Sequence, residues 1–234
     1  VSFLAEKKYD IYISGSNASL MSSELATLLT GRYIEFRMYP LSFQEFKDLY
    51  ANKRENNAAI FADYVKYGGF PGIHELNWEE QSLRQYLESL HSTVVLKDIV
   101  MRNQIKDVSM LSSILFFIAE NCGNITTAKS IRDYSKSQNR MVSTDTVLNY
   151  LHYAMDAFLI HKVRRFDVQG KRHLETFEKY YLCDTGIALA TVGNKPTLLS
   201  GQLENIVLTE LLSRRYSVSI GKNKEKEIDF IAVR

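Results

Sequence analysis

The sequence predicts a mixed α+β fold, mainly helical, made of several small units in a row. Three observations lead to it. Apolar residues recur at three- and four-residue spacing over Met110–Ile118 and again over Val147–Phe158, the period of a helix with one buried face. Short apolar runs bounded by turn residues, such as Tyr180–Cys183 and Glu227–Val233, read as strands. With 3 prolines and 11 glycines, the chain has no low-complexity linker that would separate long independent domains.

Composition narrows the class. The 234 residues suffice for one large domain or two to three small ones. A hydrophobic content of 45% with 24% charged residues is ordinary for soluble globular protein. No apolar run approaches the ~18 residues of a membrane span, and there is no secretory pattern at the start. Cys122 and Cys183 lie far apart and fit no metal or redox spacing, so they read as reduced thiols of a cytoplasmic protein. A net charge of +2 gives no bulk electrostatic argument for nucleic acid.

The elements follow in order. Residues 1–50 form a first unit. Ile11 and Ile13 lie in a short apolar run that stops at Ser14-Gly15-Ser16-Asn17, as a buried parallel strand stops at the ligand-facing rim of an α/β sheet. A helix over Leu20–Thr30 closes at Gly31, and a second strand, Tyr33–Met38, runs into Pro40. Ser42 and Glu45 have the spacing of a capping box and start the next helix. Residues 51–106 read as a helical connector: a helix over Ala59–Tyr67, the turn Gly68-Gly69-Phe70-Pro71-Gly72, and one or two helices over Trp78–Asn103.

Residues 107–190 form the best-defined unit. Met110, Leu111, Ile114, Leu115, Phe117 and Ile118 stripe a first helix; Thr126 or Thr127 caps a second; Ser143 or Thr144 caps a third. The third carries Val147, Leu148, Leu151, Ala154, Met155 and Phe158 on its buried face. A strand over Leu159–Phe166, a polar turn over Asp167–Gly170, a return over Arg172–Thr176 and a separate short strand, Tyr180–Cys183, follow. Three helices and a hairpin predict a winged helix. Residues 191–234 offer a helix over Gln202–Arg214 and strands Tyr216–Ile220 and Glu227–Val233 around a lysine-rich turn. They read as the partial opening of a restriction-endonuclease-like fold.

The order of the motifs SGSN (14–17), TGR (30–32), PLSFQEF (40–46), GGFPG (68–72) and LEN…EIDF (203–205, 227–230) resembles bacterial and archaeal AAA-like ATPases that carry a C-terminal domain of unknown function. The resemblance implies that residues 1–50 are the C-terminal part of an α/β ATPase core. It also implies that Asn17, beside Ser16, senses the nucleotide phosphate, and that Arg32 completes a neighbouring subunit's site in a homo-oligomer. ATP and magnesium would be the ligands of the intact protein. A P-loop needs GxxxxGK followed by Ser or Thr, and these residues contain none. The near-match over Gly123–Ser130 has Ala128 where the second glycine belongs and follows helix-spaced residues instead of a strand. The chain therefore reads as a fragment of a larger ATPase, itself expected neither to hold ATP tightly nor to hydrolyse it.

Two partner readings stay open: DNA, as in a DNA-binding regulator, or protein. From Thr126 to Tyr181 there are ten Lys/Arg against six Asp/Glu. Lys162, Arg164 and Arg165, with Lys171 and Arg172 across the turn, could line up along phosphates. Asn149 on the third helix could read an adenine edge. Between Ser143 and Ile160, however, there is no Lys or Arg, and Asp145 and Asp156 point outward, which suits a protein contact better. In the tail, Glu204 and Asp229 match, by resemblance, two carboxylates of a nuclease-like metal site. The lysine and remaining carboxylate of such a site are not found after them, so they read as vestigial. The five histidines show no ligand spacing, and no metal site is expected.

Overall fold

A computed structural model describes residues 12–17, 34–50, 56–167, 172–223 and 226–234, with the backbone alone at 167, 172–176, 222, 223 and 226. Residues 12–15 and 34–39 have no regular secondary structure and join no ladder among the described residues, and Ile34, Phe36 and Met38 are exposed. Of the strand expected over 33–38, the described residues 34–38 are therefore not in a sheet. The helix expected over Leu20–Thr30 lies outside the described residues.

The capping box starts the first described helix, α1 (Phe43–Tyr50). The Ser42 backbone N–H donates to Glu45 at 2.8 Å and the Glu45 N–H donates to the Ser42 hydroxyl at 3.3 Å. Helix α2 (Asn57–Tyr67) is capped by Asn56 and ends at Gly68, whose φ of +76° suits a residue without a Cβ. A 3₁₀ turn over Pro71–Glu75 leads to α3 (Glu80–Thr93), which passes without a break into a π-helix, Val94–Met101. Phe46, Tyr50, Ile60, Tyr64, Tyr67, Ile73, Leu83 and Leu87 pack into one cluster with Trp78 against it. Its rings meet edge-on, Phe46 on Tyr64 and Tyr50 on Trp78.

A larger cluster holds the next helices together. They are α4 (Val108–Glu120), α5 (Ala128–Ser137) and α6 (Thr144–Asp156), with the two-residue strand β1 (Ile125–Thr126) between the first two. Thr127 caps α5 in a box with Ser130, and Ser143 caps α6. Leu111, Ile114, Ile118, Ile131, Val147, Leu151 and Ala154 fill this core, and Val95 and Ile99 of the π-helix reach into it. Leu148, expected on the buried face of α6, is 48% exposed, because the core meets that helix along Val147, Leu151 and Ala154.

The hairpin follows as β2 (Ile160–Asp167) and β3 (Arg172–Leu182). Tyr180–Leu182 is the end of β3 and not a separate strand: Val163 pairs with Lys179 and Arg165 with Leu174, so a bulge in the ladder takes up the intervening residues. Helix α7 (Thr185–Val192), which the sequence did not reveal, is buried around most of its circumference and so lacks an amphipathic period. Helix α8 (Leu199–Ser213) precedes β4 (Ser217–Asn223) and β5 (Lys226–Val233). The five strands of the described residues form one sheet in the order β1-β3-β2-β4-β5. Its middle seam is a short parallel ladder, Arg165 to Asp167 of β2 against Ile220 to Lys222 of β4. The hairpin and the tail, separate units by sequence, therefore share a sheet.

Candidate functional site

The N-terminal segments meet the helical body along a seam. The Ser16 hydroxyl donates to Asp98 in the π-helix at 2.9 Å, and neighbouring Asn17 is buried at 3% exposure. The Arg37 guanidinium lies 5.2 Å from the centre of the Phe158 ring, at the corner between α6 and β2, where Phe158 has a φ of +54°. The ring of Tyr39 is 6.2 Å from that of His161. Burial, reinforced by Arg37, pushes the His161 imidazole down to about 4, so it is neutral at pH 7. Leu41 and Gly69 join the seam through a backbone hydrogen bond of 2.8 Å, and the Tyr64 hydroxyl donates to the Leu41 carbonyl. Arg32 lies outside the described residues.

One buried carboxylate ties the glycine-rich junction to the end of the hairpin. Asp184 caps α7; one of its oxygens accepts from the Gly186 N–H and the other from the Gly69 N–H, both at 2.7 Å. Burial pushes the Asp184 carboxyl up to about 6 against the pull of these two donors. A Cβ on Gly68 would stand 1.7 Å from an Asp184 oxygen. The motif read as a junction is therefore held by a residue 115 positions away in sequence. The only local hint of Asp184 was its place before Thr185-Gly186, as a helix cap.

The basic residues proposed for nucleic acid do not present one free row. Lys162 is paired with Glu178 at 3.1 Å, and the Arg165 guanidinium lies 5.5 Å from the Phe177 ring centre. Arg164 is exposed, beside a groove of about 430 Å³ that Lys162, Phe166, Ser219 and Ile231 also line. Lys171 lies outside the described residues, and of Arg172 only the backbone, opposite Asp167, is described. Asn149 is exposed on α6, some way along the helix from the N-cap at Ser143.

Glu204 and Asp229, paired by resemblance, do face one another, but around a lysine. The Lys179 ammonium lies 2.5 Å from Glu227, 3.3 Å from Glu204 and 3.9 Å from Asp229, with its side chain 4% exposed. The Tyr181 hydroxyl donates to Glu204 at 3.0 Å. Burial opposes the charge on Lys179, yet the contact with Glu227 and the field of Glu204 hold the ammonium above its ordinary value. Burial, with Glu204 beside it, keeps the Tyr181 hydroxyl protonated far above the usual range. Sequence reasoning missed Lys179. Its signal was a lysine two residues from Tyr181 in the run Lys179-Tyr-Tyr-Leu-Cys183, hence on the same strand face.

A cavity of about 100 Å³ lies between the end of α4 and the start of α8, lined by Glu120, Cys122, Asn124, Thr185 and Asn205. Burial pushes the Cys122 thiol up to about 12, so it is no nucleophile at neutral pH. Among the described residues no group of three or more His, Cys, Asp or Glu is arranged to hold a metal, and no helix is long and apolar enough to cross a membrane.

Comparison with known proteins fits this layout. An AAA domain profile matches residues 1–47, the part that supplies the seam. An uncharacterized protein of Haemophilus influenzae is 40% identical over 227 residues, covering 95% of this chain and 56% of that protein. An uncharacterized protein of Methanocaldococcus jannaschii is 28% identical over 246 residues, covering 97% of this chain and 54% of its own length. The chain thus spans about half the length of the curated relatives it matches. A second profile, described as a domain of unknown function (DUF8612), covers residues 58–198, more than half of the chain and running from α2 to the start of α8, and the chain belongs to that family.

Proposed function

We propose that this chain is the nucleotide-sensing end of an AAA-like ATP-binding protein together with the module that reads its state. In this reading Asn17, with Ser16 beside it, senses the phosphate, and Arg32 acts on a neighbouring subunit's site. Helices α4 to α6 with the β2–β3 hairpin are a winged-helix-like module for protein contact. ATP and magnesium are ligands of the intact protein, at a P-loop outside these residues. The observation that carries the proposal is the seam: the AAA-matched segment touches the family domain through Ser16 on Asp98, Arg37 on Phe158 and Leu41 on Gly69. The π-helix under Ser16 is a rare element that recurs at functional positions.

Protein contact is favoured over duplex DNA because two of the three Lys/Arg side chains on β2 are engaged internally. Lys162 serves Glu178 and Arg165 covers Phe177, leaving Arg164 exposed, while α6 carries Asp145, and Asp156 beside His152, but no Lys or Arg. Met141 and Leu148, 84% and 48% exposed, give that side of the module an apolar surface instead. The test is ATP turnover by the full-length protein that carries this chain. Turnover that Asn17→Ala lowers at least tenfold, with nucleotide affinity retained, is the expected result. Turnover unaffected by Asn17→Ala sinks the sensing role, and absence of nucleotide binding by the intact protein sinks the ATPase reading.

A further inference from the structure

The tail joins the rest of the sheet through a short ladder, a small apolar cluster and the ion pairs of Lys179. The β2–β4 ladder is three pairs long, and the apolar cluster under it is built on Val163, Tyr181, Leu208 and Ile220, with Cys122, Leu212, Val218 and Phe230 packed against them. Between these lies the ammonium of Lys179 on β3, in contact with Glu204 of α8 and Glu227 of β5, with Asp229 slightly farther off. We propose that Lys179 is an internal cation that latches α8 and the β4–β5 hairpin onto the β2–β3 hairpin, and that the carboxylates around it are its counter-ions and not ligands of a metal.

The argument rests on geometry and burial. An exposed lysine pair contributes little, because water screens it and two flexible chains must be ordered. The Lys179 side chain is only 4% exposed, so losing Glu227 or Glu204 weakens the compensation of a charge largely held from water, and losing Lys179 leaves these carboxylates facing one another. Lysine has three N–H donors. Glu227 and Glu204 lie within hydrogen-bond reach, while Asp229, at 3.9 Å and 65% exposed, contributes only through its field. Tyr181 stands on the same face of β3 and donates to the same Glu204 oxygen that Lys179 reaches. The partners come from residues 204, 227 and 229, so the latch joins segments that the chain's local order leaves apart. An ammonium at the meeting point also occupies the volume a divalent ion would need between these carboxylates.

Hydrogen exchange read by mass spectrometry on the whole chain tests this. Lys179→Met is expected to cost the β4 and β5 amides at least tenfold in protection while α4 to α6 keep theirs. Lys179→Arg retains the charge and should restore most of the protection. Glu227→Gln and Glu204→Gln should loosen the same segments to a lesser degree, and Asp229→Asn hardly at all. If Lys179→Met does not fold, the two glutamine variants decide: loosening confined to the tail supports the latch, and unchanged protection overturns it. Equal loss throughout the chain in those variants also overturns it. Millimolar magnesium or manganese should leave the wild-type melting temperature unchanged; a rise that Glu227→Gln abolishes would make the carboxylates cation ligands and end the proposal.

Discussion

Replacing Asp184 by asparagine should remove a defined pH dependence from folding. Asp184 is 5% exposed, accepts from two backbone N–H groups, and has its carboxyl pushed up to about 6 from an ordinary 3.8. The folded protein therefore binds a proton more readily than the unfolded chain between pH 4 and 6. Stability from this group is fully present below about pH 4 and is lost as pH rises through about 6. A shift of about 2 units at 1.36 kcal/mol each makes the difference about 3 kcal/mol. His161 works the other way: its value is lowered, so its contribution is lost as pH falls from about 6.5 toward 4. The raw slope of the wild type mixes these with other shifted groups such as His91, and the quantity to measure is the wild type minus Asp184→Asn. Urea unfolding at pH 4 and pH 7 gives it. The wild type should lose about 3 kcal/mol relative to the variant between those values. A difference that stays constant with pH would show that Asp184 is not a buried, protonatable carboxylate in the folded chain.

Other consequences are simpler to state. Gly68→Ala combines a φ of +76° with a Cβ 1.7 Å from Asp184, and should destabilise by about 3 kcal/mol or more in chemical denaturation. Thr127→Ala removes the cap of α5 and half of its box with Ser130, and should cost about 1 kcal/mol by the same measurement. A labelled DNA duplex titrated with the chain at low salt should show no binding that falls steeply with salt. Such binding, weakened by Arg164→Ala, would restore the DNA reading.

What the sequence made legible was local. Ser42 with Glu45, Thr127, and Ser143 announced their helices because a cap is written in three or four adjacent residues. The buried faces of α4 and α6 were legible through their period, except where the core stops short of Leu148. The parallel pairing of β2 with β4 was not, since nothing near Arg165 specifies Ile220 as its neighbour. Helix α7 was hidden by being buried nearly all round. The π-helix was read as ordinary helix, because its apolar residues fit either winding and packing decides between them. Of the seam, Ser16, Asn17 and the glycine-rich turn were singled out by motif, though the motif did not say what they touch. Their partners Asp98 and Asp184 were not, being single carboxylates whose roles arise only from tertiary contact.

Nucleotide-dependent hydrogen exchange in the π-helix tests the account most directly. Adding a non-hydrolysable ATP analogue to the full-length protein should change exchange over residues 94–101, and Ser16→Ala should abolish that change while nucleotide still binds. Bound nucleotide with no change in exchange over 94–101 would contradict a seam that carries the nucleotide state into the module.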